Sequence, residues 1–302
     1  MRLLECKSNG DLVLHEFPGT DVPAYAILSH TWGIGEVSLQ DVETGTGKDK
    51  AGWKKIDFCA KQADADGFRY IWVDTCCIDK KDAVELSEAI NSMFSWYQNA
   101  AKCYVYMSDV SIGENDIQHT QPWWEAAFQG SRWFTRGWTL QELIAPSSVE
   151  FFSLNGRRLG DKEGLAQQIH EITRIPVRVL RGAALSEFDV NERMLWAQGR
   201  ETMRPEDMAY SLLGIFGIHM PLIYGEGMRN AFNRLQWELD RRANEQKSGS
   251  SRNPILDSHP VRRNYRKAIV MIISWECDRL EMTVSSHTLH TSHCLCLALK
   301  QI

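Results

Sequence analysis

Residues 70–110 read YIWVDTCCIDKKDAVELSEAINSMFSWYQNAAKCYVYMSDV, and their pattern decides the fold. Tyr70 to Ile78 opens with an aromatic and β-branched run and closes on Asp74, Thr75 and two thiols. That is the pattern of a buried strand leading into a loop. Ala83 to Ala100 places Leu86, Ile90, Met93 and Tyr97 on one helical face. Asp82 is its expected N-cap, with Glu85 three residues on in a capping-box arrangement. Cys103 to Val110 is a second apolar strand. Strand, helix and strand in this order predict a parallel pair joined by a crossover.

Working outward, the same design recurs. Tyr25 to Trp32 (YAILSHTW) is an apolar run ending in polar residues and Gly33, and Val149 to Ser153 (VEFFS) is a fourth strand. Trp53 to Ala65 has helical spacing and stops near Gly67. Near-continuous apolar strands suit a parallel sheet covered by helices on both faces. From about Gly160 the pattern becomes helical, with candidates at Asp161–Thr173, Val190–Arg200 and Phe232–Arg242. Pro205 can open another, its first turn carrying Glu206 and Asp207. The expectation is one α/β domain over residues 1–243, with a sheet core to about 155 and a helical layer from 156 to 243. Residues 244–302 read as a polar linker and a disordered tail.

Composition narrows the function classes. Hydrophobic content of 43% and charged content of 24% over 302 residues are those of a globular protein with a sizeable core. A net charge of −5 argues against a nucleic-acid binder, which needs a basic face. No apolar run reaches the roughly 20 residues of a membrane span, and none has signal-peptide form. A cytoplasmic location and reduced thiols are therefore expected, with Cys6, Cys59 and Cys103 as small core residues. Eleven Trp residues point to aromatic packing or stacking surfaces.

In an open parallel α/β sheet, ligands bind beyond the carboxyl ends of the strands. That rule selects Ser29, His30, Thr31 and Trp32, then Asp74 to Cys77, then Ser108 and Asp109. Residues 131–143, SRWFTRGWTLQEL, follow the third of these strands and belong to the same rim. Three large aromatics beside Arg132, Arg136 and Glu142 suit a pocket wall better than a connecting loop. Glu142 suits glycosidic-bond chemistry, in which a carboxylate stabilises an oxocarbenium-like transition state. The alternative is a carboxylate on a solvated helix face. Arg136 can pair with a phosphate, and Trp32 or Trp138 can stack on a heterocycle. His30 with Cys76 or Cys77 could form a thiol–imidazole pair, although no third orienting group is evident. His287, His290, His293, Cys294 and Cys296 fit no standard zinc spacing, so no metal site is expected.

Six motifs together resemble the fungal heterokaryon-incompatibility (HET) domain family. They are YAILSHTWG (25–33), YIWVDTCCIDK (70–80), ELSEAINSMFSWY (85–97), CYVYMSDV (103–110), SRWFTRGWTLQELIAP (131–146) and the RPEDMAYSLLGIFGIHMPLIYGEG run (204–227). AFNRLQWEL (231–239) resembles the family's usual end. The resemblance implies non-self recognition that triggers cell death when incompatible hyphae fuse. WTLQEL (138–143) is similar to the W-C-x-x-E-L segment of TIR domains, with Thr139 in place of the usual Cys. In NAD-cleaving TIR domains that Glu is catalytic. This likeness implies a flavodoxin-like or TIR-like core with Glu142 as the catalytic carboxylate and NAD as a substrate, not a prosthetic group. Arg136 would contact phosphate, Trp32 or Trp138 would stack on a ring, and Ser29, His30 and Asp74 would form the floor. The competing class is a non-catalytic signalling module that self-associates. Expected partners are further copies of the chain or other incompatibility-signalling proteins, with neither nucleic acid nor a membrane span.

Overall fold

The computed structural model describes residues 1–7, 10–19, 21–113, 124–249, 269 and 272. An N-terminal hairpin, β1 (Arg2–Cys6) and β2 (Leu12–Glu16), precedes β3 (Tyr25–His30), α1 (Leu39–Glu43) and α2 (Trp53–Ala65). Next come β4 (Tyr70–Trp72), α3 (Ala83–Asn99), β5 (Lys102–Met107), α4 (Trp124–Gln129) and α5 (Thr139–Ile144). The sheet is completed by β6 (Val149–Ser153) and β7 (Arg158–Asp161). The strand order is β2-β1-β4-β3-β5-β6-β7. The four central strands are parallel. Counted along the chain, they lie in the order 2-1-3-4, so the winding reverses beside β3, where such sheets open a crevice.

The sheet is mixed, where a parallel one was expected: β1 and β7 join it antiparallel, and β2 extends it through the hairpin. The reason is local. The flanking strands carry charges that read as loop, yet those charges are paired. Glu5 on β1 is buried against Lys7, His15 and Arg69. Arg158 on β7 binds Glu150 of β6 and Asp161. Antiparallel edge strands need only one apolar face, so their runs are short and interrupted.

Inside the core the physics follows the apolar pattern. All six residues of β3 are buried. Asp82 caps α3 by accepting from the Val84 and Glu85 amides. The capping box is not formed: the Glu85 carboxylate instead accepts from Asp79 N at 2.7 Å and pairs with Arg2. The strand read at the start of Tyr70–Ile78 ends at Trp72, just before the expected loop. There the Val73 carbonyl accepts from Cys76 N and Cys77 N, turning the chain and burying both thiols.

The C-terminal half is a layer of helices: α6 (Ala166–Thr173), α7 (Val177–Leu180), α8 (Val190–Leu195), α9 (Asp207–Tyr210), α10 (Leu213–Phe216) and α11 (Gly227–Gly249). Of the three with predicted bounds, α6 and α8 are shorter than the periodicity predicts. The helix expected from Asp161 starts only at Ala166, because residues 158–161 are strand. The helix expected to end at Arg242 continues to Gly249. Ile269 and Ile272 are helical and buried, whereas the His/Cys cluster at 287–296 lies outside the described residues.

The layer sits tightly on α3. A Cβ on Gly214 of α10 would come within 2.1 Å of the Phe94 Cβ, so this contact admits only glycine without movement. Gly214→Ala is expected to cost about 1–3 kcal/mol through overpacking. Denaturant unfolding checks this, and an unchanged midpoint would refute the close contact.

Candidate functional site

The segment 131–144 docks as a unit beneath the carboxyl end of β3. Ser131 anchors its start, donating to Asp109 Oδ1 at 2.7 Å and accepting from Trp133 N. All six residues of α5 are buried, so the helix is held by packing and not by its own short hydrogen-bond ladder. Its first turn is fixed from the side chain: Thr139 Oγ1 lies 2.6 Å from Trp133 O and 2.8 Å from Arg136 O, able to donate to either. Gly137 N donates to Glu201 O at 2.8 Å, and a Cβ at Gly137 would meet Thr202 Cγ2 at 2.4 Å. The helical layer therefore clasps the segment at that glycine.

This docking delivers Glu142 to β3. Ser29 Oγ donates to the Glu142 Oε2 carboxylate oxygen and accepts from Trp133 Nε1 at 2.8 Å. Ser29 and Trp133 have no solvent exposure. With the indole N–H occupying one lone pair of the hydroxyl, its single proton points to the carboxylate. Burial pushes the Glu142 pKa up to about 8, and the Asp74 charge adds to the rise. Ser29, Tyr97 and Arg136 act in the opposite direction. Glu142 is thus a desolvated acid at neutral pH, the state in which small changes in its surroundings switch its charge.

Glu142 lines a cleft of about 420 Å³. Of the residues singled out from the sequence, His30, Trp32, Asp74, Arg136 and Trp138 line the same cleft. Ser29 does not form its floor; it lies behind Glu142 and orients it. Trp32 Nε1 donates to Asp74 Oδ2 at 2.8 Å, and Lys80 Nζ stands 3.6 Å over the Trp32 ring. His30 is held neutral, because burial drives its pKa down to about 3. Its ring is 3.7 Å from Glu36 and 3.8 Å from Asp74, too far for hydrogen bonds, and neither nitrogen has a partner among the described residues.

The helical layer supplies the other wall. Asp207 accepts from Trp138 Nε1 at 3.3 Å and from Tyr224 OH at 3.0 Å, and burial raises its pKa. The Arg204 guanidinium lies 4.1 Å from the Tyr224 ring centre. Sequence reasoning missed Lys80, Arg204, Asp207 and Tyr224 as site residues. Asp207 read as a helix-dipole acid, and it meets Tyr224 of the YGEG turn only through the fold.

The thiol–imidazole pair does not form: Cys76 and Cys77 hydrogen bond with Val73 backbone groups, and the neighbouring Cys77 thiol, with burial adding, holds the Cys76 thiol protonated. Cys59 and Cys103 are fully buried as expected, while Cys6 is only half-buried. Among the described residues, no cluster of metal-ligating side chains occurs, and no helix is long and apolar enough to cross a membrane.

Comparison with known proteins bears on this architecture. Residues 25–121, from β3 through β5, match the family model of the heterokaryon incompatibility protein (HET). This chain carries a HET domain. Over 244 residues it is 54% identical to the vegetative incompatibility protein HET-E-1 of Podospora anserina, a match covering 80% of the chain. The matched stretch is 18% of that relative's length, so this HET-domain chain corresponds to a fraction of a much larger protein. No solved structure matches the chain.

The geometry makes two expectations for Glu142. Ser29→Ala removes a donor to the charged carboxylate, so the Glu142 pKa should rise above about 8, read by NMR titration of the carboxyl; a fall would contradict the bond. The folded-state pKa also exceeds the unfolded value. Its stabilising contribution is therefore complete below about pH 4.5 and is lost as pH rises through about 8. Glu142→Gln should abolish that loss, gaining on the parent protein by up to about 1.4 kcal/mol per pH unit across this window. Parallel stability curves for the two proteins would rule this out.

Proposed function

We propose that this HET domain acts in vegetative (heterokaryon) incompatibility and kills the cell by hydrolysing NAD at the nicotinamide–ribose bond. The observation that carries the reading is Glu142: a desolvated, hydroxyl-oriented carboxylate on the wall of a cleft at the carboxyl ends of the parallel strands. The parallel strand order 2-1-3-4 supports a TIR-like or flavodoxin-like core beneath it. The relative's name, a vegetative incompatibility protein, supports the biological setting.

In this proposal the cationic nicotinamide ring enters the cleft and favours ionisation of Glu142, because an adjacent positive charge lowers a carboxyl pKa. As the C1′–N bond breaks, its electron pair leaves with nicotinamide, and the carboxylate stabilises the oxocarbenium character left on the ribose. Water adds at C1′ and gives up a proton, leaving nicotinamide and ADP-ribose. Arg136 contacts phosphate, Trp138 and Trp32 border the rings, and His30 and Asp74 meet hydroxyl groups. The neutral imidazole, with neither nitrogen hydrogen-bonded among the described residues, has capacity for such bonds. The reaction is placed in the cytoplasm, with other copies of the chain or incompatibility-signalling proteins as partners.

A second reading, a non-catalytic self-associating module, draws on the apolar side chains near the cleft. Ile34 is 98% exposed and Met203 74%. Glu142→Gln separates the two readings. If the domain is catalytic, NAD turnover by purified protein at high concentration should fall roughly a hundredfold or more, with folding intact. Undiminished cell killing by a folded Glu142→Gln protein favours the module.

A further inference from the structure

Two arginines of the candidate cleft keep their donors free. Arg136 and Arg204 both line it, and both retain solvent-accessible surface: Arg136 is half-buried and Arg204 exposed. Among the described residues, neither guanidinium makes an ion pair or donates a hydrogen bond. The third cation of the cleft, Lys80, is already engaged, standing over the Trp32 ring and 4.0 Å from Asp74 Oδ2. The acids beside Arg204 in sequence have other donors. Glu206 Oε1 accepts from the Gly225 and Gly227 amides, each at 2.9 Å, and Asp207 accepts from Trp138 and Tyr224. Arg204 acts on both through its field, as Arg136 does on Glu142.

The backbone brings the two arginines to one end of the cleft. Arg136 and Glu201 form a parallel bridge, in which Glu201 N donates to Thr135 O at 2.6 Å and Gly137 N to Glu201 O at 2.8 Å. Thr202 Oγ1 donates to Arg204 O at 2.7 Å, closing the turn that leads into Pro205. The bridge thus pins the segment bearing Arg136 to the loop bearing Arg204, where the two walls join. The Arg204 guanidinium then lies 4.1 Å from the Tyr224 ring centre, and that ring is tethered through its hydroxyl to Asp207. Contact with a ring face orders a guanidinium without consuming its in-plane N–H donors.

An arginine stays charged at physiological pH, and its planar fork meets phosphate oxygens two at a time. A carboxylate or a single phosphate satisfies one such fork. A ligand that engages two must carry anionic oxygens on two neighbouring centres, as a diphosphate does. We propose that Arg204 and Arg136 form a two-guanidinium clamp for the diphosphate group of a nucleotide. As a refinement of the NAD reading, on which it rests, the clamp grips the substrate by its diphosphate and leaves the ribose to Glu142. Arg204 sets affinity and takes no part in the bond cleavage.

The test titrates the full chain with ADP, AMP and inorganic pyrophosphate by calorimetry at constant ionic strength. ADP should bind about tenfold or more tightly than AMP. Tighter binding of ADP than of pyrophosphate assigns a nucleoside diphosphate; pyrophosphate binding at least as tightly assigns the diphosphate group alone. Arg204→Gln and Arg136→Gln should each weaken ADP binding about tenfold or more. Arg178→Gln, at an exposed arginine outside the cleft, should leave it unchanged. Should Arg136→Gln not fold, Arg204→Gln decides, since its side chain is exposed. ADP binding that depends on Arg204, without NAD turnover, keeps the clamp and sinks the hydrolase. NAD turnover with a KM unmoved by Arg204→Gln keeps the hydrolase and sinks the clamp. The clamp is also overturned by no saturable ADP binding, by equal affinities for ADP and AMP, or by an equal loss in Arg178→Gln.

Discussion

A carboxylate in a dry interior persists only where hydrogen bonds replace its water, and the hydroxyl of Ser29 does this for Glu142. That hydroxyl is in turn fixed by the Trp133 indole. The chain of three groups joins the central strand β3 to the segment that follows β5. Around it, Phe134 and Phe151 pack on Trp133, and Phe128 packs on both of them, excluding water. Remove the hydrogen bonds and the carboxyl is held neutral to still higher pH; remove the aromatic packing and water enters, so that it returns toward its ordinary titration range. The chemistry proposed for the cleft and the integrity of the core rest on the same atoms.

The helical layer completes this arrangement. Its contribution is electrostatic as much as structural: Asp207 receives the Trp138 and Tyr224 donors, and Arg204 is laid on the Tyr224 ring. Arg200 then ties the layer to the start of α5 through bonds to one backbone carbonyl and one hydroxyl. At the other end of that helix, buried Lys162 donates to the Leu143 and Pro146 carbonyls, with burial lowering its pKa to about 8. A helix of six residues has little stability of its own; Lys162 satisfies carbonyls at its C-terminal end, where the dipole favours a cation, and Arg200 fixes the turn that precedes its first residue. Buried charges of this kind are commonly worth more for fixing one arrangement than for net stability. Separating the layer from the sheet would leave α5 without either function.

What the residues determined alone was the parallel heart of the sheet. Runs such as YAILSH and CYVYM, separated by an amphipathic helix with a clear N-cap, admit few other folds, because local periodicity and burial agree. The rule that ligands meet parallel strands at their carboxyl ends then brought His30, Trp32, Asp74, Arg136, Trp138 and Glu142 to one cleft. The antiparallel borders β1, β2 and β7 were not legible, since their charges are silenced by partners such as Arg69 that lie far away in sequence. Only the tertiary structure decided that Ser29 stands behind the acid and not on the floor. It also decided that Asp207 and Arg204 face the cleft, and that Arg200 is buried within the field of Glu142. These depend on distances between segments a hundred residues apart, and burial, which sets the charge state of each group, is a property of the packed whole.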